Sequence, residues 1–395
     1  MKIKPYNFMA IWGIIVSPVL SLPFILYGIY KKNKYSLYLM AFFLGIVAFL
    51  TPPVSDLYRH TSDYFFYQSL SWENFHEILD KDVIAQIVSY TFSKIGINYA
   101  FVRLLFVSIS LIIYFYIFHD LLYNQIIKRK TYFLLWIILL TGYNYFELVL
   151  GVRYGLAVSF FFGSFYLLYF KHSFFKSLIF VILSSLTHFF LFPISIIMFS
   201  VYYIPFSIKK RYFFILCGVF MLIGFSLASN FILTYYEQQS SYIDGSWGIE
   251  YKSSLSFKGL TYYYLKRIWI LPLVYFYLKD EYEYLKVRNL IYILLLMFIS
   301  VIPLATLSGR IITIISIFLL FYFILRYKSK KQNCIFNIIL ISSTLFFCSN
   351  LYTYRFVLGK DHYIDLCKPL FFVLDNDIYS KSWMYNNINE DGYFK

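Results

Sequence analysis

Charge is the scarcest commodity in this chain: only 14% of its 395 residues are Asp, Glu, Lys or Arg, and acidic groups number 20 against 35 basic ones. So few ionic groups cannot coat a soluble globule of this length. Cysteine is sparse as well. Cys217, Cys334, Cys348 and Cys367 show no CxxC spacing and lie in or beside apolar runs, which excludes a disulfide framework and reads as buried thiols acting as small hydrophobes. Also missing are a phosphate-binding glycine loop with its Lys, a GxSxG elbow, an HExxH helix and any Cys/His metal spacing. ATP-driven chemistry and zinc hydrolysis are thereby excluded, and neither a cofactor nor a metal is expected. The DND triplet at 375–377 resembles a metal-binding DxD, but short acidic triplets are common in tails and no metal role is assigned to it. With no solvated linker and no internal repeat, residues 1–351 read as one domain, followed by a mixed polar and aromatic tail, 352–395, placed outside the cytoplasm.

What the chain has in abundance is apolar surface: 60% of its residues are hydrophobic and 24% aromatic. Runs of membrane-spanning length predict an all-α, polytopic helical membrane protein with about twelve spans. They fall near Phe8–Tyr30, Leu37–Val54, Ile97–Phe118, Tyr132–Leu150, Gly155–Phe170, Phe174–His188, Phe189–Ile204, Tyr212–Leu233, Gly259–Leu278, Asn289–Leu307, Ile311–Leu325 and Ile335–Leu351. Several are shorter than the bilayer core, so tilt, local thinning or re-entrant geometry is expected. The formal charge of +15 does not indicate nucleic acid, because the cations cluster between spans. Eighteen of the 35 basic residues occupy six short loops, at 31–34, 128–130, 171–176, 209–211, 279–288 and 326–331. The positive-inside rule assigns those loops to the cytoplasm. Both termini, the long loops 55–96 and 234–258, the Glu147–Arg153 turn, His188 and Arg310 then face outward, although Lys2 and Lys4 argue against an outward N-terminus. The apolar N-terminal stretch is too long for a signal-peptide core and reads as a retained span.

The stretch from Tyr145 to His188 organises the rest. Its two apolar runs, joined by a short basic turn at Lys171, His172 and Lys176, form a hairpin that returns His188 to the level of Arg153. A permanent cation and a titratable imidazole at one depth are costly in so apolar a chain, and mark a site. Arg153 alone would also fit a snorkelling anchor at a span end, and so would Arg103. Arg310 is further isolated, because the ten residues on each side carry no other charge, so its guanidinium calls for an anionic partner. Glu147 sits at an outer span end, six residues from Arg153, as a candidate ion-pair partner or acceptor-hydroxyl ligand.

In the loop 55–96, TPPVSDLYRHTSDYFFYQ places Asp56, Arg59, His60 and Asp63 at i, i+3, i+4 and i+7, one face of a helix starting beyond Pro53. The plain reading is a solvated helix start with its own ion pair. The same four groups also supply an acid, a base and an anion clamp at the membrane edge. Further on, Asp82–Gly96 has an amphipathic pattern too polar to span, and reads as an interfacial helix.

Taken in order, an outer DLYRH segment, a GVRYGLA run opening a span, a basic turn, a span ending in THFF and a late span closing on SGR resemble the EpsG-like group of Wzy-type polymerases. The resemblance covers the chain through about Tyr327 and is strongest over Gly151–Pro193. It implies catalysis at the outer face of the bacterial inner membrane on undecaprenyl-pyrophosphate-linked oligosaccharides. The growing O-antigen, capsule or exopolysaccharide chain passes from its carrier to a hydroxyl of the incoming repeat unit, without a nucleotide. By this similarity Arg153, His188, Arg310 and the Asp56, Arg59, His60 group map onto functional positions, with His188, His60 or Asp56 as the base and Arg153, Arg310 and Arg59 on the pyrophosphate and substrate. Asp63 and Glu147 join them on spacing alone. The implied partners are the lipid-linked oligosaccharide, the bilayer and a polysaccharide chain-length regulator, with no nucleic acid. Two rival readings are a flippase, which would need midplane charges and repeats with broken helices, and a membrane acyltransferase. The acyltransferase would need inner-face groups, for which only His119, Asp120 and His172 offer themselves.

Overall fold

The computed structural model describes residues 4–79, 81–123, 125, 127–235, 267–279, 284–327, 333–358, 361–375, 379–389 and 392–395. Regular structure among them is helical, with one isolated β-bridge between Ile388 and Phe394. The chain divides into two compact units, residues 1–136 with 144–195 and 351–395, and residues 137–143 with 196–350. The first holds α1 (Pro5–Val16), α2 (Pro18–Tyr30), α3 (Lys34–Phe49), α4 (Asp56–Tyr67), α5 (Trp72–Glu77), α6 (Val83–Ile95), α7 (Tyr99–Tyr123), α9 (Tyr145–Leu150), α10 (Val152–Tyr169) and α11 (Phe174–Thr187). Two helices, α8 (Arg129–Gly142) and α12 (Leu191–Tyr203), start in the first unit and end in the second. The second unit also holds α13 (Lys210–Tyr235), α14 (Leu271–Lys279), α15 (Leu285–Val301), α16 (Ala305–Arg326) and α17 (Asn333–Thr353) up to Asn350, the end of α17 belonging to the first unit. The expected outer loop 234–258 lies, from 236 on, outside the described residues, as do the start of the Gly259–Leu278 span and positions 376 and 377 of the DND triplet.

Four helices among the described residues are long and apolar enough to cross a membrane: α7, α10, the Thr306–Arg326 part of α16 and the Cys334–Thr353 part of α17. They match four of the twelve expected spans. Five more, α1, α2, α3, α11 and α12, are apolar but run only 12 to 16 residues. At 1.5 Å per residue those reach roughly 18–24 Å, short of a ~30 Å hydrocarbon core. Two expected spans are broken. Tyr132–Leu150 becomes α8 and α9, divided at Tyr143, where the Asn144 side chain accepts the Glu147 N–H (3.4 Å) and starts a new helix.

The first span, Phe8–Tyr30, is instead a helical hairpin. Proline disfavours helical geometry in the residue before it; Ser17, ahead of Pro18, is accordingly extended (φ −166°, ψ 115°), and the chain doubles back. Gly13 makes the close packing feasible, since a Cβ there would stand 2.8 Å from the Ser21 backbone. The N-terminal end consequently lies beside the 31–34 loop. Asn33 donates to the Tyr6 hydroxyl (3.1 Å) and Ser36 to Asn7 Oδ1 (2.8 Å). This corrects the outward placement of the N-terminus relative to that loop and removes the anomaly of Lys4. At the same end Lys32 donates to Ile127 O (2.5 Å), and Lys171 pairs with Asp120 (3.0 Å), so three of the basic loops share one end of the unit.

The opposite end carries α4, α6 and the C-terminal segment. Helix α6 forms where the amphipathic pattern placed it, closed by Gly96 at φ 77°, and it packs against α4, α7 and α11. Arg103 is not a snorkelling anchor. It is 2% exposed and donates to the carbonyls of Phe49 and Thr51, capping α3, with Tyr379 of the C-terminal segment 5.6 Å from its guanidinium carbon. The segment 352–395 packs into the first unit. Tyr379 donates to Leu50 O (2.6 Å), Ser17 donates to Leu366 O (3.1 Å), and Val373 joins Ile14, Ile46 and Phe49 in one core. Cys334, Cys348 and Cys367, read as buried thiols, are exposed on the protein surface; Cys334 and Cys348 lie on the apolar helix α17, where a thiol facing lipid needs no protein cover, and Cys367 ends a short 3-10 turn of the C-terminal segment.

Gly13→Leu is expected to destabilise the purified protein by about 1–3 kcal/mol by overpacking the hairpin. Gly218→Ala, on α13 with nothing within 4 Å of its new Cβ, is expected to stabilise by about 0.4–1 kcal/mol. Thermal melting in detergent measures both; equal melting temperatures for the two variants would contradict this account of the hairpin.

Candidate active site

The α10–α11 hairpin sets the geometry. Small side chains let the two helices approach. Ser164 and Ser177 share a hydrogen bond (2.7 Å), Ser184 donates to Ala157 O (2.8 Å), and Gly163 faces the Phe180 ring, which an added Cβ would meet at 2.7 Å. This register brings the end of α11 to the start of α10: the His188 and Tyr154 rings lie 5.5 Å apart, edge to face. His188 thus stands beside Arg153, as the two apolar runs and their short turn predict. Its Nδ1 accepts the Phe190 N–H (3.3 Å), which in the neutral imidazole leaves the proton on Nε2. Gly155 serves the same end, because a Cβ there would come within 2.2 Å of Leu148, blocking α9 against α10.

Helix α4 presents the second group of residues, on one face as the spacing requires. Asp56 accepts from Arg59 and lies 3.3 Å from His60 Nε2, while His60 Nδ1 stands 3.9 Å from Asp63. His60 is 7% exposed, whereas Arg59 is 56% exposed. Burial acts to raise the Asp56 pKa, but the His60 hydrogen bond and the charges of His60, Arg59 and Arg153 outweigh it and hold the carboxyl well below the usual range. Arg153 is therefore close enough to act on the α4 carboxylate. Tyr67, at the end of α4, is pushed up to about 12 by burial and by Asp63, against the pull of Arg153, and stays a hydrogen-bond donor. Just before Asp56, Ser55 takes up φ 56°, ψ −131°, a region L-residues avoid. Its N–H donates to Gly392 O (2.8 Å), so the C-terminal segment holds the start of α4 in that conformation.

The residue that sequence reasoning missed is Asp82. It occupies the N-cap position of α6 but makes no side-chain cap. Its carboxylate turns away: one oxygen takes Arg153 Nη1 (3.1 Å) and the other the Phe189 N–H (3.1 Å). Asp82 thereby ties α6 to both legs of the hairpin. The carboxylate on Arg153 is thus Asp82, 71 residues earlier, in place of the expected Glu147, which lies in the first turn of α9. The only sequence signal was an Asp ahead of VIAQIV, which equally announces an ordinary helix cap. Arg310 lies half-buried on α16 in the second unit, two residues from buried Ser308.

Asp56 gives a pH test. A carboxyl held below its unfolded pKa of about 3.9 contributes stability above that pH and loses it as pH falls through the folded value. Asp56→Asn should therefore melt lower than the parent protein at neutral pH, with the gap closing below about pH 4; a gap that is constant with pH would exclude the ionised Asp56 as its source.

No curated protein and no solved structure matches this chain. The model of the EpsG family matches residues 34–363, a stretch that contains all the residues of both groups above and Arg310. This helical membrane chain belongs to the EpsG family, whose members are Wzy-like polymerases.

Proposed function

We propose that this protein is a Wzy-type glycosyltransferase that joins undecaprenyl-pyrophosphate-linked oligosaccharide repeat units into O-antigen, capsule or exopolysaccharide at the outer face of the bacterial inner membrane. The observation that carries the proposal is that Arg153, joined through Asp82 to the chain beside His188, lies near enough to the Asp56–His60 pair to act on the Asp56 carboxyl, at the end of the first unit away from its basic loops. Positive-inside orientation puts that end outside, where lipid-linked repeat units would be presented. The topology from the 31–34 loop onward, with the basic loops inside, is part of this reading, and the α1–α2 hairpin puts the N-terminal end on the same side as that loop.

In the proposed reaction, a hydroxyl of the incoming unit attacks the anomeric carbon of the growing glycan. The bond from that carbon to the diphosphate oxygen breaks, and the carrier diphosphate leaves with the electron pair. The hydroxyl proton passes to His60, oriented by Asp56 in the manner of an acid–base dyad. Arg153 neutralises charge on the leaving diphosphate, and His188 donates from Nε2 to its oxygens. Arg310 is assigned to the carrier diphosphate as well. Arg59, Asp63 and Glu147 are assigned to acceptor hydroxyls and substrate charge, and a chain-length regulator to the assembly. A flippase would need ionisable groups at mid-depth, whereas this cluster sits at one end.

Arg153→Ala should cut polymer formation by about 10²–10³, the range for losing one transition-state electrostatic contact, and leave single repeat units at the outer face. Arg153→Lys should rescue only partly, since Lys offers a point charge and no fork. Electrophoresis of surface glycan with immunoblotting of the membrane protein reads both. Normal chain lengths in Arg153→Ala would end the clamp assignment, and repeat units trapped inside would favour the flippase. A cysteine at exposed Ser69, with the native cysteines replaced, should react with an impermeant maleimide on intact spheroplasts; labelling only after lysis would invert the topology.

A further inference from the structure

The short first helices leave space at the far end of the first unit. Helix α1 starts beside the basic 31–34 loop and runs 12 residues, and α2 returns to that loop in 13, so the turn at Ser17 stands roughly 18–20 Å from the basic end. Helix α7, packed along α3, runs 25 residues, about 37 Å, and is long enough to cross the whole membrane. A hydrocarbon core of about 30 Å therefore extends roughly 10 Å beyond the hairpin turn.

Protein fills that space. The 3-10 turn Asp361–Cys367 packs against α2 and the short helix Leu370–Leu374 against α1. Ser17 donates to Leu366 O (3.1 Å), and Val373 shares a core with Ile14 and Ile46. The segment turns apolar side chains outward as well as inward: Ile364, Phe371 and Phe372 are 65%, 72% and 60% exposed. At the hairpin turn α1 and α2 expose Val16, Val19 and Leu20. The polar groups of the segment are met from within it. Val373 N–H donates to Pro369 O (3.2 Å), Asp375 N–H to Phe371 O (2.9 Å), and the buried Asp365 carboxylate takes Lys368 (2.6 Å), as backbone and charge at membrane depth require.

We propose that residues 361–374 form a membrane-seated element. They lie at hydrocarbon depth in the leaflet away from the basic loops, and Ile364, Phe371 and Phe372 meet its acyl chains. Depth is what selects lipid as the occupant: a protein partner approaching from water reaches the headgroups before it reaches a surface packed on the short α1. Lys368, half-exposed, can carry its ammonium to those headgroups on an apolar stem. The sequence gives little sign of this, because the apolar run LFFVL is only five residues long, far short of a span. The proposal is independent of the polymerase reading and needs only that α7 crosses the bilayer. The chain then runs on to Gly392, which holds Ser55 ahead of Asp56, so the start of α4 is tied to a lipid-seated anchor.

The test uses the full-length protein in nanodiscs of phosphatidylcholine and phosphatidylglycerol. Nitroxide labels go one at a time on the native Cys367, on Phe371→Cys and, as an aqueous reference, on Ser69→Cys, with the remaining cysteines replaced by Ser. Electron paramagnetic resonance then compares collisions with oxygen, which concentrates in hydrocarbon, and with a water-soluble nickel chelate. The label at 371 should meet oxygen severalfold more than nickel, and the label at 69 the reverse. Nickel contact at 371 equal to that at 69 would overturn the proposal and put the segment in water above a thinned bilayer. Protection from both reagents would overturn it too, because protein would then cover the surface. Monodisperse elution and a parental melting temperature establish that each variant is folded. Where Phe371→Cys fails that check, the Cys367 label, which needs no change within the segment, decides by the same criteria.

Discussion

A guanidinium at the start of an apolar helix must find an anion, and the way Arg153 finds Asp82 fixes the rest of the first unit. One carboxylate, from the N-terminal end of loop helix α6, holds the cation of α10 and the backbone of the α11–α12 junction together. An ion pair of this kind carries a desolvation cost that its Coulomb attraction barely repays, so stability is a poor explanation for it. Its geometric effect is plain: it fixes the separation of Arg153, His188 and the α4 face. It also leaves Arg153 held by an exchangeable anion, the condition in which a diphosphate could take over the same fork.

The architecture around this pair follows from short helices. Helices α1, α2 and α11 run 12, 13 and 14 residues, too short for an average bilayer without thinning. The C-terminal segment covers the end where α1 turns into α2 and where α3 stops, and it meets the buried Arg103 with Tyr379. Through Gly392 it also holds Ser55 in a left-handed conformation directly ahead of Asp56. The tail thus belongs to the same unit as the candidate site and holds the start of α4.

Much of this was legible in the sequence, for reasons of periodicity and local chemistry. The α10–α11 hairpin was readable because two apolar runs and a short basic turn admit one geometry, and the α4 face because Asp56, His60 and Asp63 recur at helical spacing. Helix α6 announced itself by its pattern and by Gly96. Other features depend on long-range contacts that no local pattern encodes. Asp82 looked like a cap and turned to Arg153. Arg103 looked like an anchor and proved to be a buried cap for α3. The break at Ser17 had a visible cause in Pro18, yet the apolar run across it outweighed that cue.

The account is tested most directly by reconstitution. Purified protein in liposomes, given undecaprenyl-diphosphate-linked repeat units and neither nucleotide nor added metal, should produce a ladder of lengthened glycans and release one carrier diphosphate for each new linkage. Released carrier without a ladder, or no turnover by a folded and correctly oriented protein, would contradict it.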